Sequence, residues 1–149
     1  MLFRSIEPRF IKKIKNRQNT ESLFQIYLAL DIDLREYGFN GYTNDFLLKD
    51  GTILPINIYT NIDPSCAPMG HSVLSSYHLT SIDEYEEALF QDGGKRGQHY
   101  KTLKQKKLDE MIDKIAEALN IPDLRHHIKI KEAATPVTYR RYTKNFRGS

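Results

Sequence analysis

A single cysteine, Cys66, in 149 residues excludes an internal disulfide framework and any cluster of thiolate metal ligands. Long apolar runs are also missing. Nothing approaches the roughly 18 consecutive apolar residues that a membrane helix needs. The first ten residues carry Arg4, Glu7, Pro8 and Arg9 around no apolar core segment, so no secretory leader is expected. These absences set the expectation of a reducing, cytoplasmic compartment. Internal repeats and low-complexity tracts are lacking, as is a Ser nucleophile elbow. Asp92-Gly93-Gly94-Lys95-Arg96-Gly97 has glycines and a lysine, but its spacing is not that of a P-loop and no Ser or Thr follows the lysine. It reads as an exposed loop.

What is present is ordinary for a globular chain. Hydrophobic residues make up 40% and charged residues 28%, and the net charge of +3 is too mild to specify nucleic acid or an anionic membrane. The strongest pattern is residues 22–30. Phe24, Ile26, Leu28 and Leu30 alternate onto one face, and Leu23, Tyr27 and Ala29 make the other partly apolar. That pattern predicts a central strand covered on both sides. Residues 8–16 predict a short basic helix starting at Pro8, with Phe10, Ile11 and Ile14 on one side; its charges read as a solvated face. Residues 31–37 predict a helical turn closed by Gly38, with Asp31 and Asp33 as caps and not as a metal-binding pair.

Residues 39–50 read as loop and edge strand, and Lys49-Asp50-Gly51-Thr52 as a hairpin turn. Residues 53–59 predict a strand that Pro55 places at an edge or a bulge. After a two-proline loop, residues 71–79 predict its antiparallel partner. Ser81 and Asp83 start a helix to about residue 90. Residues 98–120 predict the longest helix, with Tyr100, Leu103, Lys107, Leu108, Met111, Ile112, Ile115 and Leu119 as its packing stripe. Residues 127–133 predict a strand with Ile128 and Ile130 inward. This order predicts an α+β fold, a mainly antiparallel or mixed sheet with helices on one face.

The histidines His71, His78, His99, His126 and His127 are scattered over unlike elements, so no metal site is expected. Cys66 has no neighbouring Lys or Arg to lower its pKa. The tail reads as helix and turn: Thr135 is an N-cap and Pro136 the first helical residue, with turn chemistry at Asn145 and Gly148. Its run of Tyr139, Arg140, Arg141, Tyr142, Lys144, Phe146 and Arg147 admits three readings. These are a plain amphipathic helix, a surface for phosphate groups or an acidic partner, and a single-stranded nucleic-acid contact. Nucleic acid is the weakest of the three.

The Thr135-Pro136…Arg141-Tyr142-Thr143…Gly148-Ser149 pattern resembles the segment that leads from the substrate domain back toward the flavin in the phytoene desaturase and carotenoid isomerase-like family of FAD-dependent oxidoreductases. Upstream phrases resemble the same family in the same order. Residues 10–15 followed by Ser22-Leu23-Phe24-Gln25-Ile26-Tyr27-Leu28-Ala29-Leu30-Asp31 are similar to its helix and first strand, with Ala29 where the family has glycine. Asp63-Pro64-Ser65-Cys66-Ala67-Pro68-Met69-Gly70 is similar to its phrase before a core strand, and residues 100–119 with Ile121-Pro122-Asp123-Leu124-Arg125-His126-His127-Ile128 to its long helix and the turn after it. The family's dinucleotide-binding Gly-x-Gly-x-x-Gly is absent from this chain.

The resemblance implies that residues 1–149 are one substrate-binding domain, a fragment or split piece, with residues 134–149 leading toward an FAD-binding domain. It implies FAD as cofactor of the complete protein, an apolar substrate such as a polyene, the remainder of the enzyme as partner, and contact with a membrane surface. It also implies that Thr135, Pro136, Arg141, Tyr142 and Gly148 lie near the flavin. No residue is assigned a catalytic role. The alternative is a stand-alone interaction module that keeps the fold without redox activity.

Overall fold

The computed structural model describes residues 7–15 and 21–148; residue 16 of the expected first helix and the side chains of Ile11 and Ile14 lie outside that description. The elements run α1 (Pro8–Lys15), β1 (Ser22–Leu30), β2 (Thr43–Leu47), β3 (Ile53–Ile58), β4 (Ser72–Thr80), α2 (Asp83–Gln91), α3 (Gln98–Leu119), α4 (Leu124–His127), β5 (Ile128–Ala134) and α5 (Pro136–Thr143). The strands form one sheet in the order β2-β3-β4-β1-β5, and every pairing is antiparallel. The fold is thus α+β, as the pattern predicts.

β1 is central, between β4 and β5. Its alternation carries Phe24, Ile26, Leu28 and Leu30 into the core, where Leu54, Ile56, Ile58 and Leu74 join them from β3 and β4. The helices close that face with Tyr85 and Leu89 of α2 and with Leu108, Met111, Ile112, Ile115 and Leu119 of α3. Burying each such side chain contributes on the order of 1.5–3 kcal/mol. α3 ends because Asn120 takes a left-handed conformation at its C-cap and Pro122 follows. The turn after β1 is capped by Asp33, whose carboxylate accepts from the Arg35 amide at 3.0 Å, and is closed by Gly38 at φ 90°.

Three expectations change in three dimensions. First, β1 is covered by the chain's helices on its core face only: Leu23, Gln25, Tyr27 and Ala29 on the other face remain half-buried or exposed. Second, β3 is an inner strand despite Pro55. Its pairing with β4 begins at Ile56, beyond the proline, and the Pro55 carbonyl accepts from Ser76 Oγ at 2.7 Å. Third, Ile130 points away from the core. β1 and β5 pair Leu30 with Ile128 but Ala29 with Ile130, so Lys129 is an extra residue in β5. A one-residue bulge reverses the alternation. Ile130 is therefore 63% exposed while Ala133 is buried.

The bulge is held by charge. Asp31, just after β1, accepts from Lys129 Nζ at 2.5 Å and from His127 Nδ1 at 2.9 Å. These contacts, Lys129 first, hold the Asp31 carboxyl below the usual carboxylate range.

One core contact is imperfect. Tyr85 is fully buried against Phe24, rings 6.4 Å apart, and its hydroxyl has no partner among the described residues. Removing an unpaired buried hydroxyl relieves its desolvation cost. Tyr85→Phe should therefore leave stability unchanged or raise it by up to about 1–2 kcal/mol; a loss above about 1 kcal/mol in urea unfolding would mean that the hydroxyl has a partner.

Candidate functional site

The face of the sheet opposite the helices is built by strand parity. It presents Leu23, Gln25, Tyr27 and Ala29 of β1, Val73, Ser75, Tyr77 and Leu79 of β4, and Ile53, Pro55 and Asn57 of β3, with Thr43, Asp45 and Leu47 of β2 beyond. At one end lies an apolar row. Leu23 pairs with Leu79, Ile53 pairs with Leu47, and continuing the β3–β4 register brings Ile53 level with Leu79. Leu79, Ile53 and Leu47 are 60%, 65% and 76% exposed. Four strands thus contribute large aliphatic side chains to one uncovered strip, the kind of surface that marks a binding site.

The middle of the face is aromatic and polar. Tyr59, following β3, places its hydroxyl 3.1 Å from Ser75 Oγ, and the Tyr42 ring meets the Tyr59 ring edge-on at 5.7 Å. From α5, Tyr139 donates to Gln25 Oε1 at 2.5 Å. Thr43 donates to Asn57 Oδ1 at 3.0 Å. These polar groups are matched to one another across the face, an arrangement that tolerates an apolar cover because its hydrogen bonds do not depend on water. Partial burial raises the pKa of Tyr27, with the nearby Tyr59 adding to it; burial likewise raises Tyr139, with Tyr27 and Tyr59 adding.

The five tail residues separate into two groups. Thr135 is fully buried; its Oγ1 lies 2.8 Å from the Tyr100 hydroxyl and caps the Thr138 amide. Pro136 is the buried first residue of α5. Gly148 is buried at φ 77°, and its carbonyl accepts from Ser22 Oγ at 2.5 Å. A Cβ on Gly148 would overlap the Pro136 carbonyl oxygen. These three residues form one internal corner between α5 and the start of β1. Arg141 and Tyr142 lie outside it on the exposed side of α5, with the guanidinium 5.8 Å from its neighbour's ring centre. Of the five, they alone offer side-chain polar groups that no residue of the corner uses. Two other cations of the run are engaged: Arg140 pairs with Glu86 and Arg147 with Asp83, both on α2.

No motif marks the open face as a site; its signal in the sequence is the partly apolar second side of residues 22–30. Tyr59 and Tyr139 carried no motif and join the face only through tertiary placement. Five of the nine tyrosines, Tyr27, Tyr42, Tyr59, Tyr77 and Tyr139, lie on this face or its rim.

Two measurements check this arrangement. Tyr59→Phe should bring the ionisation of Tyr27 and Tyr139 back toward the ordinary tyrosine value of about 10, read by NMR-detected titration; unchanged midpoints would show that Tyr59 is not coupled to them. Gly148→Ala should cost about 2–3 kcal/mol, combining a left-handed backbone with the overlap at Pro136. Urea unfolding reads that loss, and a change under about 0.5 kcal/mol would dissolve the proposed corner.

No protein-family model matches the chain. Among curated proteins, two chloroplastic prolycopene isomerases of an Oncidium hybrid cultivar are each 32% identical over 87 residues, which is 58% of this chain and 14% of theirs. The chloroplastic prolycopene isomerase of Daucus carota is 31% identical over 115 residues, which is 77% of this chain and 17% of that protein. The chain thus matches a small part of each relative. Over much of its length it is similar to a segment of prolycopene isomerases, carotenoid isomerases of the phytoene desaturase-like family.

Proposed function

We propose that this chain is the substrate-binding part of a phytoene desaturase-like, FAD-dependent oxidoreductase of the desaturase, isomerase or saturase type, acting on a polyene or a similarly long apolar molecule. The observation that carries the reading is the uncovered sheet face. Its aliphatic row and internally matched polar groups suit an elongated apolar ligand that excludes water. The partial similarity to prolycopene isomerases supports the same reading.

In this reading the flavin supplies the redox chemistry when bound. The residues of this chain bind and orient the substrate and keep water from it. Leu23, Leu79, Ile53 and Leu47 hold the hydrocarbon, and the ring of Tyr27 packs against it. Arg141 and Tyr142, on the outer side of α5, face the FAD-binding part of the enzyme, where a guanidinium suits phosphate or carboxylate groups. Thr135, Pro136 and Gly148 act from inside by fixing where α5 starts. The chain alone should not hold FAD tightly.

The test is polyene capture by the whole chain. β-Carotene offered in detergent micelles should co-elute with the chain and shift its absorption band. Replacing Ile53 and Leu79 by aspartate should reduce capture at least about tenfold, because two charges would be buried under the hydrocarbon, with the far-UV circular dichroism unchanged. Equal capture by this double variant, or none by the unaltered chain, would sink the reading.

A further inference from the structure

The open face is not uniformly prepared for a hydrocarbon. Most of its polar side chains are matched in pairs: Tyr59 with Ser75, Thr43 with Asn57, and Tyr139 with the Gln25 carbonyl oxygen. Of the groups left unmatched among the described residues, which include the Asp45 carboxylate and the Asn57 amide hydrogens, three are neighbours. Gln25 has spent only its oxygen, so both hydrogens of its Nε2 remain available. Directly opposite it on β4 stands Tyr77, and two residues along β1 on the same face stands Tyr27. Neither hydroxyl has a side-chain or backbone partner among the described residues. Covering this spot with hydrocarbon alone would leave an amide and two hydroxyls without partners, each a loss of about 1–3 kcal/mol.

The surroundings indicate how a ligand would lie. Leu23 neighbours Gln25 on the same face and opens the aliphatic row that runs through Leu79 and Ile53 to Leu47. From Tyr27 to Leu47 the sheet spans three strand spacings sideways and four residues lengthwise. That gives a diagonal of roughly 19 Å, the reach of an extended chain of about fifteen carbons. The polar spot therefore lies at one end of an apolar track.

We propose that Gln25, Tyr27 and Tyr77 form a station for an oxygen atom, so that the preferred ligand of this face is amphiphilic: a long apolar chain ending in a hydroxyl or carbonyl group. This rests on the open face being the substrate surface. The Gln25 amide and one tyrosine hydroxyl donate to the ligand oxygen, and the second tyrosine accepts from it when it carries a hydrogen. The three residues determine specificity and have no part in the reaction itself. A pure hydrocarbon binds through the aliphatic row but leaves the station unmatched, and is disfavoured for that reason.

The experiment compares farnesol with farnesene, which differ in the terminal hydroxyl. Each is delivered from the same cyclodextrin carrier to the ¹⁵N-labelled whole chain and followed by amide chemical shifts. Farnesol should bind about five- to tenfold more tightly, the worth of one net hydrogen bond or slightly more. Its largest shifts should fall on β1 and β4 around Gln25, Tyr27 and Tyr77. The Tyr27→Phe, Tyr77→Phe double variant keeps both rings. It should bind the two ligands alike, with farnesene affinity raised because no hydroxyl is left unpaired beneath it, and with the spectrum otherwise preserved. Equal affinity for both ligands in the unaltered chain, or discrimination that survives in the double variant, would overturn the oxygen station and leave the apolar-substrate reading standing. Binding of neither ligand, or shifts confined to the helical face, would overturn both.

Discussion

The arrangement of the molecule depends on the two faces of β1. One strand alternates four fully buried aliphatic or aromatic side chains with Leu23, Gln25, Tyr27 and Ala29, and it is paired with β4 throughout and with β5 from Gln25 to Leu30. The first set commits the helices to one face, because α2 and α3 must cover it. The second set is thereby left for whatever binds the other. A slip of one residue in the β1–β4 register would exchange the two sets and expose the core. Position of the core and position of the open face are thus one decision.

The open face sets paired polar residues beside an exposed aliphatic row. Tyrosines present large flat surfaces with a hydroxyl at the edge, so their rings pack while the hydroxyls of Tyr59 and Tyr139 pair with Ser75 and Gln25. The raised pKa of Tyr27 and of Tyr139 follows from their partial burial on this face, with neighbouring tyrosines adding to it. The exposed row of Leu79, Ile53 and Leu47 would be costly to leave in water.

The end of the chain is held by a different device. Thr135, Pro136 and Gly148 interlock with Tyr100 and Ser22, and α2 adds ion pairs to Arg140 and Arg147. Arg96 joins them by donating to the Val137 carbonyl at 3.3 Å while lying over the Tyr100 ring. The Thr-Pro…Gly spacing is a structural requirement before it is anything else: a capped helix start and a glycine that must approach its backbone closely. Arg141 and Tyr142 between them are the residues released to the surface.

Much of the fold was legible in the residue order, because local rules decide it. Alternation gave β1 its bounds, the spacing of apolar residues marked α3, and Thr135-Pro136 marked the start of α5. What stayed illegible depended on partners distant in sequence. The extra residue at Lys129 is invisible until β5 is laid against β1, and so Ile130 reads as inward when it is outward. Pro55 reads as an edge signal because the place where β3 stops pairing with β4 is set by tertiary contact. The site followed the same division. By itself the sequence determined most of the strands and helices, which residues of β1 and of α3 share a face, and the likeness to a segment of prolycopene isomerases. Only the tertiary structure decided that α2 and α3 close one side, that tyrosines from β1, β4, α5 and the β3 end gather on the other, and that the tail motif is half corner and half surface. Sequence spacing specifies local periodicity, whereas burial and pairing are properties of residues that meet only when the chain has folded.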